Sequence, residues 1–240
     1  MSFDLRHYQQ DVLDAREAGC KRFCLPWHRR AGKDTFGLDF TRRELLKLPG
    51  TYWHLFPLQS HARKAIWDGR ASDGEKFIER AFPLEIRKST HNHTTSIEFE
   101  NGALWQMAGS DAYDQLVGSN VLGVVFSEWS LCDPRALEFI RPIVVENGGW
   151  LMFIFTYRGR NHAYKLAQRA LELERWYCKV LDITMTTRVD GTPVVSEEDV
   201  QIEREEGMPE EIIQQEFYMN PAAANANAYY GGCLTIQAAA

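Results

Sequence analysis

Trp27-His28-Arg29-Arg30-Ala31-Gly32-Lys33-Asp34-Thr35, directly after the apolar run Phe23-Cys24-Leu25-Pro26, decides how the rest of the chain is read. The stretch has the make-up of a phosphate-binding loop between a buried strand and a helix. In such a loop, backbone N–H groups and the positive end of the helix cradle a polyphosphate, while one lysine reaches the β and γ oxygens. Two positions depart from the usual pattern. Trp27 stands at the place of the first glycine, and Asp34 stands where Ser or Thr normally follows the lysine. A Gly-Lys pair alone also fits an ordinary basic strand-to-helix turn, so the choice depends on what surrounds the loop.

A chain of 240 residues suits one large α/β domain, or one domain with a small appendage. An apolar fraction of 45% with 12% aromatics supplies a core and argues against disorder. The longest apolar runs, residues 121–126 and 150–155, are far too short to cross a bilayer. The charged, mixed start from Asp4 does not read as a signal peptide, so neither a membrane nor a secreted protein is expected. The five cysteines are irregularly spaced and form no Cys-x-x-Cys pair, which points to a reducing interior without a zinc site. Cys20 and Cys24 read as structural, and His91 and His93 as a polar loop. The net charge of −6 argues against a protein that coats nucleic acid non-specifically. Positive charge is concentrated from Arg63 and Lys64 through Arg80, Arg87 and Lys88, and negative charge over residues 196–216; solvated helix faces account for both.

Along the chain, residues 4–18 have helical spacing, with Leu5, Tyr8, Val12 and Leu13 as the apolar stripe. Residues 23–27 form a short buried strand. The helix after the loop carries Phe36, Leu38, Phe40, Leu45 and Leu48 and stops at Pro49-Gly50. Residues 52–56 are a second strand, followed by a helix through Ala62, Ile66 and Trp67. Residues 97–107 alternate around Asn101-Gly102, a hairpin signal. Strands at 122–126 and 150–156 lead into helices at 135–140 and 161–173, and a further strand covers 176–183. This alternation predicts a mostly parallel sheet covered by helices on both faces, with ligands at the carboxyl ends of its strands. After Thr187 the character changes. Ser196-Glu197-Glu198-Asp199 opens a capped acidic helix, a second helix follows Pro209, and residues 221–228 read as a linker. The expected partition is a core over 1–187, a helical lid or linker over 188–222, and a remainder over 223–240.

A nucleotide hydrolase also needs Mg²⁺ between the β and γ phosphates and a group that orients the attacking water. Val124-Val125-Phe126-Ser127-Glu128 is an apolar strand ending in such a carboxylate, with Ser127 where a metal-associated Asp usually stands. Glu128 is the candidate for polarising water. The two departures are complementary: the loop has gained a carboxylate, Asp34, and the strand a hydroxyl, Ser127. Both side chains on one Mg²⁺ would keep the usual donor set with positions exchanged, since Mg²⁺ needs few protein ligands. Thr35 is the alternative hydroxyl. A third element, Phe155-Thr156-Tyr157-Arg158-Gly159-Arg160-Asn161-His162, brings Thr156, Arg158 and Arg160 to the same edge. There they would sense the γ-phosphate, or an arginine would act on a neighbouring subunit's site.

Taken together, these elements and Leu5-Arg6-His7-Tyr8-Gln9 resemble the ATPase domain of the large terminase subunit of tailed double-stranded DNA phages, over roughly residues 4–235. The resemblance implies a P-loop ATPase of the ASCE type that uses ATP and Mg²⁺ to drive double-stranded DNA through a portal protein into a procapsid. It would work as a homo-oligomeric ring alongside a small terminase subunit, in the bacterial host cytoplasm at the portal vertex. It further implies that Gln9 reads adenine and that Lys33 binds phosphates, with Arg29, Arg30, Ala31, Gly32, Asp34 and Thr35 completing the loop. Arg30 would assist catalysis, Glu128 would be the catalytic carboxylate, and Thr156 would couple hydrolysis to movement. Two features depart from the family. Leu116-Val117-Gly118 lacks the trans-acting arginine often found there, leaving Arg135, Arg141, Arg158 and Arg160 as candidates. No Asp or Glu follows Glu216, so residues 223–240 hold only the linker and start of the nuclease domain that large terminases carry, and no nuclease site is expected. The other readings are a helicase-like P-loop ATPase and a catalytically silent nucleotide-binding module.

Overall fold

The computed structural model describes residues 4–116 and 120–223. Most of the expected linker, the segment Tyr229-Tyr230-Gly231, and Val117 and Gly118 lie outside the described residues. The order of elements is α1 (His7–Glu17), β1 (Arg22–Pro26), α2 (Lys33–Lys47), β2 (Thr51–Phe56) and α3 (Gln59–Ala62), which continues as a π-helical turn over Arg63–Trp67. Then come α4 (Phe77–Ala81), β3 (Arg87–His91), β4 (Ser96–Phe99), β5 (Leu104–Gly109), β6 (Val121–Ser127), α5 (Arg135–Glu146) and β7 (Trp150–Phe155). The described chain closes with α6 (His162–Leu171), β8 (Tyr177–Cys178), α7 (Glu197–Glu205) and α8 (Glu210–Glu216).

All the strands join one sheet in the order β3-β4-β5-β2-β6-β7-β1-β8. From β5 to β8 every neighbouring pair is parallel, and the β3–β4–β5 edge is antiparallel. The central strands are nearly continuous apolar runs because both faces are covered. Successive side chains alternate between the two covers. Phe23, Leu25, Val125, Met152 and Ile154 pack with α1, α2 and α4, while Cys24, Val124, Phe126, Leu151 and Phe153 pack with α5 and α6. Each such side chain taken fully out of water contributes about 1.5–3 kcal/mol. The same alternation aims Ser127, Thr156 and His54 at the face that α2 covers, which is what assembles the site.

Three expectations are corrected. Residues 176–183 are not one strand: only Tyr177–Cys178 pairs with β1, Leu181 adds an isolated bridge to Trp27, and Ile183 opens a 3₁₀ turn. β3 was not foreseen, because its residues are polar and mostly exposed and lack the burial contrast that marks a strand. The helix expected over 135–140 runs on through Pro142 to Glu146, with Pro142 on its exposed side. At the C-terminal end, α7 starts with the expected Ser196–Asp199 capping box, and Ile183, Val200 and Ile213 form a small core of their own. No helix among the described residues is long and apolar enough to cross a membrane.

Candidate functional site

The loop joining β1 to α2 is held from below by the core. Trp27 is completely buried; its ring meets Tyr8 edge-on at 5.1 Å and its Nε1 donates to the Lys179 carbonyl at 3.1 Å. The side chain at the first-glycine place therefore points into the core, away from the cradle, and a large residue is accommodated. Gly32 takes φ 76°, a left-handed conformation that glycine adopts at little cost. A Cβ there would stand 3.3 Å from both Arg6 Nη1 and Gln9 Nε2. Arg30 adopts φ 73° without that freedom, at a cost of about 1–2 kcal/mol. Ala31 is buried, and its carbonyl accepts from the Tyr8 hydroxyl at 2.9 Å. Gln9 is buried beside the loop, its Oε1 accepting from the Arg6 backbone N–H at 3.1 Å. His28 is fully buried between the Arg29 carbonyl and Thr186 Oγ1, the latter at 2.7 Å, and burial pushes its pKa down to about 4.

Lys33 opens α2 with its ammonium folded into the loop. Nζ donates to the carbonyls of Trp27 (3.0 Å) and His28 (3.1 Å) and to Thr156 Oγ1 (3.1 Å). Burial lowers its pKa, opposed by the carboxylates Glu128, Asp34 and Glu216. Thr156 thus reaches the lysine from the end of β7, the strand lying between β1 and β6.

Asp34 and Ser127 meet. The Ser127 hydroxyl donates to Asp34 Oδ1 at 2.5 Å, while Thr35 sits half-buried on the next position of α2. Behind them lies His54, fully buried on β2, with Nε2 3.7 Å from the same Oδ1. That distance is too long for a hydrogen bond, and neither ring nitrogen of His54 has another partner. Gly37 leaves room for the ring: a Cβ on this helix position would come within 3.5 Å of His54 Cε1. Burial opposes the charge of Asp34, but His54, the Ser127 hydroxyl and Lys33 outweigh it and hold its pKa below the ordinary carboxylate value.

Glu128 follows directly with φ 51°, a second strained non-glycine residue at this edge. Its Oε2 is buried without a hydrogen-bond partner. Burial raises its pKa, and Lys33 pulls it back only in part. A strained, partly desolvated carboxylate facing the lysine has the environment of a base rather than of a structural ion pair.

The arginines divide. Arg158 pairs with Glu216 at the end of α8, and Arg29 reaches the other oxygen of the same carboxylate at 3.8 Å. The Arg29 N–H also donates to the Glu216 carbonyl at 2.9 Å. Arg30 and Arg160 are exposed. Arg135 is tied to Asp133 at 2.7 Å. A hollow of about 460 Å³ opens between Arg29 and Arg30 on the loop and Asp199, Glu203 and Glu216 on α7 and α8. Two side chains here went unnoticed in the sequence. His54 had a signal, as the one imidazole in an otherwise apolar strand; Glu216, the last of an acidic run, had none.

No protein-family model matches the chain, and no curated protein sequence matches it. Solved structures do. The large terminase ATPase domain of Thermus phage P74-26 superposes with a TM-score of 0.65 at 17% identity, covering 90% of this chain and 93% of that one. The large terminase of a thermophilic bacteriophage in complex with ADP gives 0.69 at 12% identity over 90% of this chain and 53% of that one. Its complex with ATP-γ-S gives 0.66 at 13% identity, with 90% and 52% covered. The chain therefore spans nearly all of the first protein and about half of the second. It has the fold of these ATPase domains, as the alternation of strands and helices predicted.

Proposed function

We propose that the protein is an ATP-hydrolysing motor that moves double-stranded DNA into a viral procapsid. One observation carries the reading: Lys33, the Asp34–Ser127 pair and Glu128 converge at the carboxyl ends of β1 and β6, the parallel strands on either side of β7, where this fold binds ligands. The loop would hold the β and γ phosphates of ATP, with Lys33 exchanging its carbonyl partners for phosphate oxygens and Thr156 reporting the change to β7. Gln9 would read the adenine, a role supported by its amide nitrogen lying near Gly32 of the loop.

The oxygens of Asp34 and Ser127 fit Mg²⁺, which takes few protein ligands and keeps several waters. Among the described residues no group of three or more His, Cys, Asp or Glu forms an alternative cage. When bound, Mg²⁺ supplies charge neutralisation between the β and γ phosphates. Glu128 would hold and polarise the attacking water, its unpaired Oε2 being free to accept that proton. Arg30, on the loop, would lend charge to the transition state. Exposed Arg160 is the better candidate to act on a neighbouring subunit in a ring, because Arg158 is engaged by Glu216. The portal protein, procapsid and small terminase subunit are the partners this reading entails, in the bacterial host cytoplasm; cleavage of DNA is not assigned to these residues.

The test is phosphate release from MgATP at increasing protein concentration, with and without duplex DNA, beside Glu128→Ala. Hydrolysis that rises with concentration and vanishes in the variant is expected. Nucleotide binding by both proteins with hydrolysis by neither, at any concentration, would instead establish a silent nucleotide-binding module.

A further inference from the structure

At the pole opposite the nucleotide edge, the start of β1, the segment before β8 and the second half of α5 surround a hollow of about 440 Å³. Lys21, Arg22, Arg141 and Arg175 line it beside Val145 and Trp176, and no carboxylate does. Among the described residues, none of these four cations takes part in an ion pair. Several cations elsewhere are paired with acids. In the adjoining hollow Arg16 meets Glu44 at 2.7 Å, and in the basic stretch Arg63 meets Asp68 at 3.2 Å and Arg80 meets Glu75 at 2.8 Å.

The crowding is built into rigid parts. Arg22 is half-buried, and its Nη1 donates to the carbonyls of Lys21 (2.7 Å) and Gly149 (3.1 Å), which fixes the guanidinium at the mouth of the sheet. Burial, and then the nearby charges of Arg141 and Arg175, hold its pKa below the usual guanidinium value. Like charges brought together without a counter-ion repel, and an anion relieves that repulsion. Guanidinium groups match phosphate oxygens in pairs.

We propose that this hollow grips backbone phosphates of duplex DNA without regard to sequence. The phosphate chemistry stands on the residues alone, whereas the choice of DNA over a free nucleotide rests on the motor function proposed above. DNA and ATP would then hold opposite ends of the same strand: β1 runs from Arg22 in the grip to Pro26 at the phosphate loop.

The experiment measures binding of a fluorescent duplex to the whole chain over a range of salt, for wild type, Arg141→Ala, Arg175→Ala and the double variant. Each removed cation should weaken binding several-fold, alike for unrelated sequences, and should lower the slope of log K against log salt by about one. The melting temperature should stay at the wild-type value in each variant, and basal MgATP hydrolysis should stay at the wild-type value in Arg175→Ala. Wild-type affinity and slope in the double variant would overturn the proposal and leave the motor function standing. So would failure of the wild type to bind duplex. A parallel arm adds ATP to Lys33→Ala protein: if Arg141→Ala and Arg175→Ala abolish residual nucleotide binding and leave DNA binding unchanged, the site takes free nucleotide and the DNA assignment is wrong. If the wild type binds DNA through these residues yet never hydrolyses ATP, the motor reading fails and the grip stands.

Discussion

The two ends of the parallel sheet treat charge in opposite ways. At the carboxyl end, Lys33 and Glu128 each feel the other and the charges of Asp34, Arg158 and Glu216, and Lys33, Asp34, Arg158 and Glu216 all have partners within the protein. At the amino end, Lys21, Arg22, Arg141 and Arg175 stand together with no acidic partner among the described residues, and Arg22 donates only to carbonyls. The first arrangement stores an internally compensated set that a triphosphate and a cation can enter by exchanging partners. The second leaves charge uncompensated, so that only an outside anion completes it. On the proposed functions, pairing within the fold, more than the number of charges, separates a site for turnover from a surface for grip.

The sharpest way to break the contrast is to disturb the internal compensation. Asp34→Ser is expected to lower MgATP hydrolysis by about a hundredfold, the scale of a lost metal-site or electrostatic partner. Adding Ser127→Asp should recover part of the loss; a double variant no better than the single one removes the exchange from the account. The next effect is one of stability. The folded state holds His28 at about 4, below the roughly 6.5 of an unfolded histidine, so the unfolded chain takes up a proton first as pH falls. This share of stability is therefore whole above pH 6.5 and is lost toward pH 4, by about 3 kcal/mol in total. Urea midpoints of wild type and His28→Gln, compared at pH 7 and pH 4.5, should converge at the lower pH.

A smaller effect is expected behind the Asp34–Ser127 pair. His54→Leu keeps the bulk and removes the imidazole facing Asp34, and should raise the Mg²⁺ needed for half-maximal hydrolysis about tenfold. Binding of ADP without Mg²⁺ should not change. Smallest of all, Arg141→Ala combined with Asp34→Ser should show only the sum of the separate effects on stability, within about 0.5 kcal/mol, because the sites lie at opposite poles. A larger coupling would mean that the two ends are not separate charge systems.

Much of this was legible in the sequence, for identifiable reasons. The loop and the β6 and β7 runs announce themselves because both faces of those strands are buried and their chemistry is bunched at the ends. Asp34 and Ser127 were connected by complementarity alone, and the fold places them in hydrogen-bond contact. What stayed hidden lacks local contrast or comes from scattered segments. β3 is polar on both faces. Glu216 looks like any acidic helix residue until α8 is folded against the loop. The positive charge that showed in the sequence, around Arg63 and Arg80, is partly neutralised by neighbouring acids, whereas the unpaired cluster is drawn from β1, α5 and the segment before β8. Pairing is a tertiary property, and no reading of charge along a chain recovers it.

Glu216 has a mechanical meaning as well. Its side chain lies between Arg29 and Arg158, its carbonyl accepts from the Arg29 N–H, and the Phe217 carbonyl accepts from the Ile183 N–H. Tension applied to the chain beyond residue 217 would reach the loop after β1 and the turn after β7 through these contacts, together with α8 and the buried Met219. On the proposed function, anything that pulls there would tug on the nucleotide clasp itself, and load and catalytic state would share an anchor.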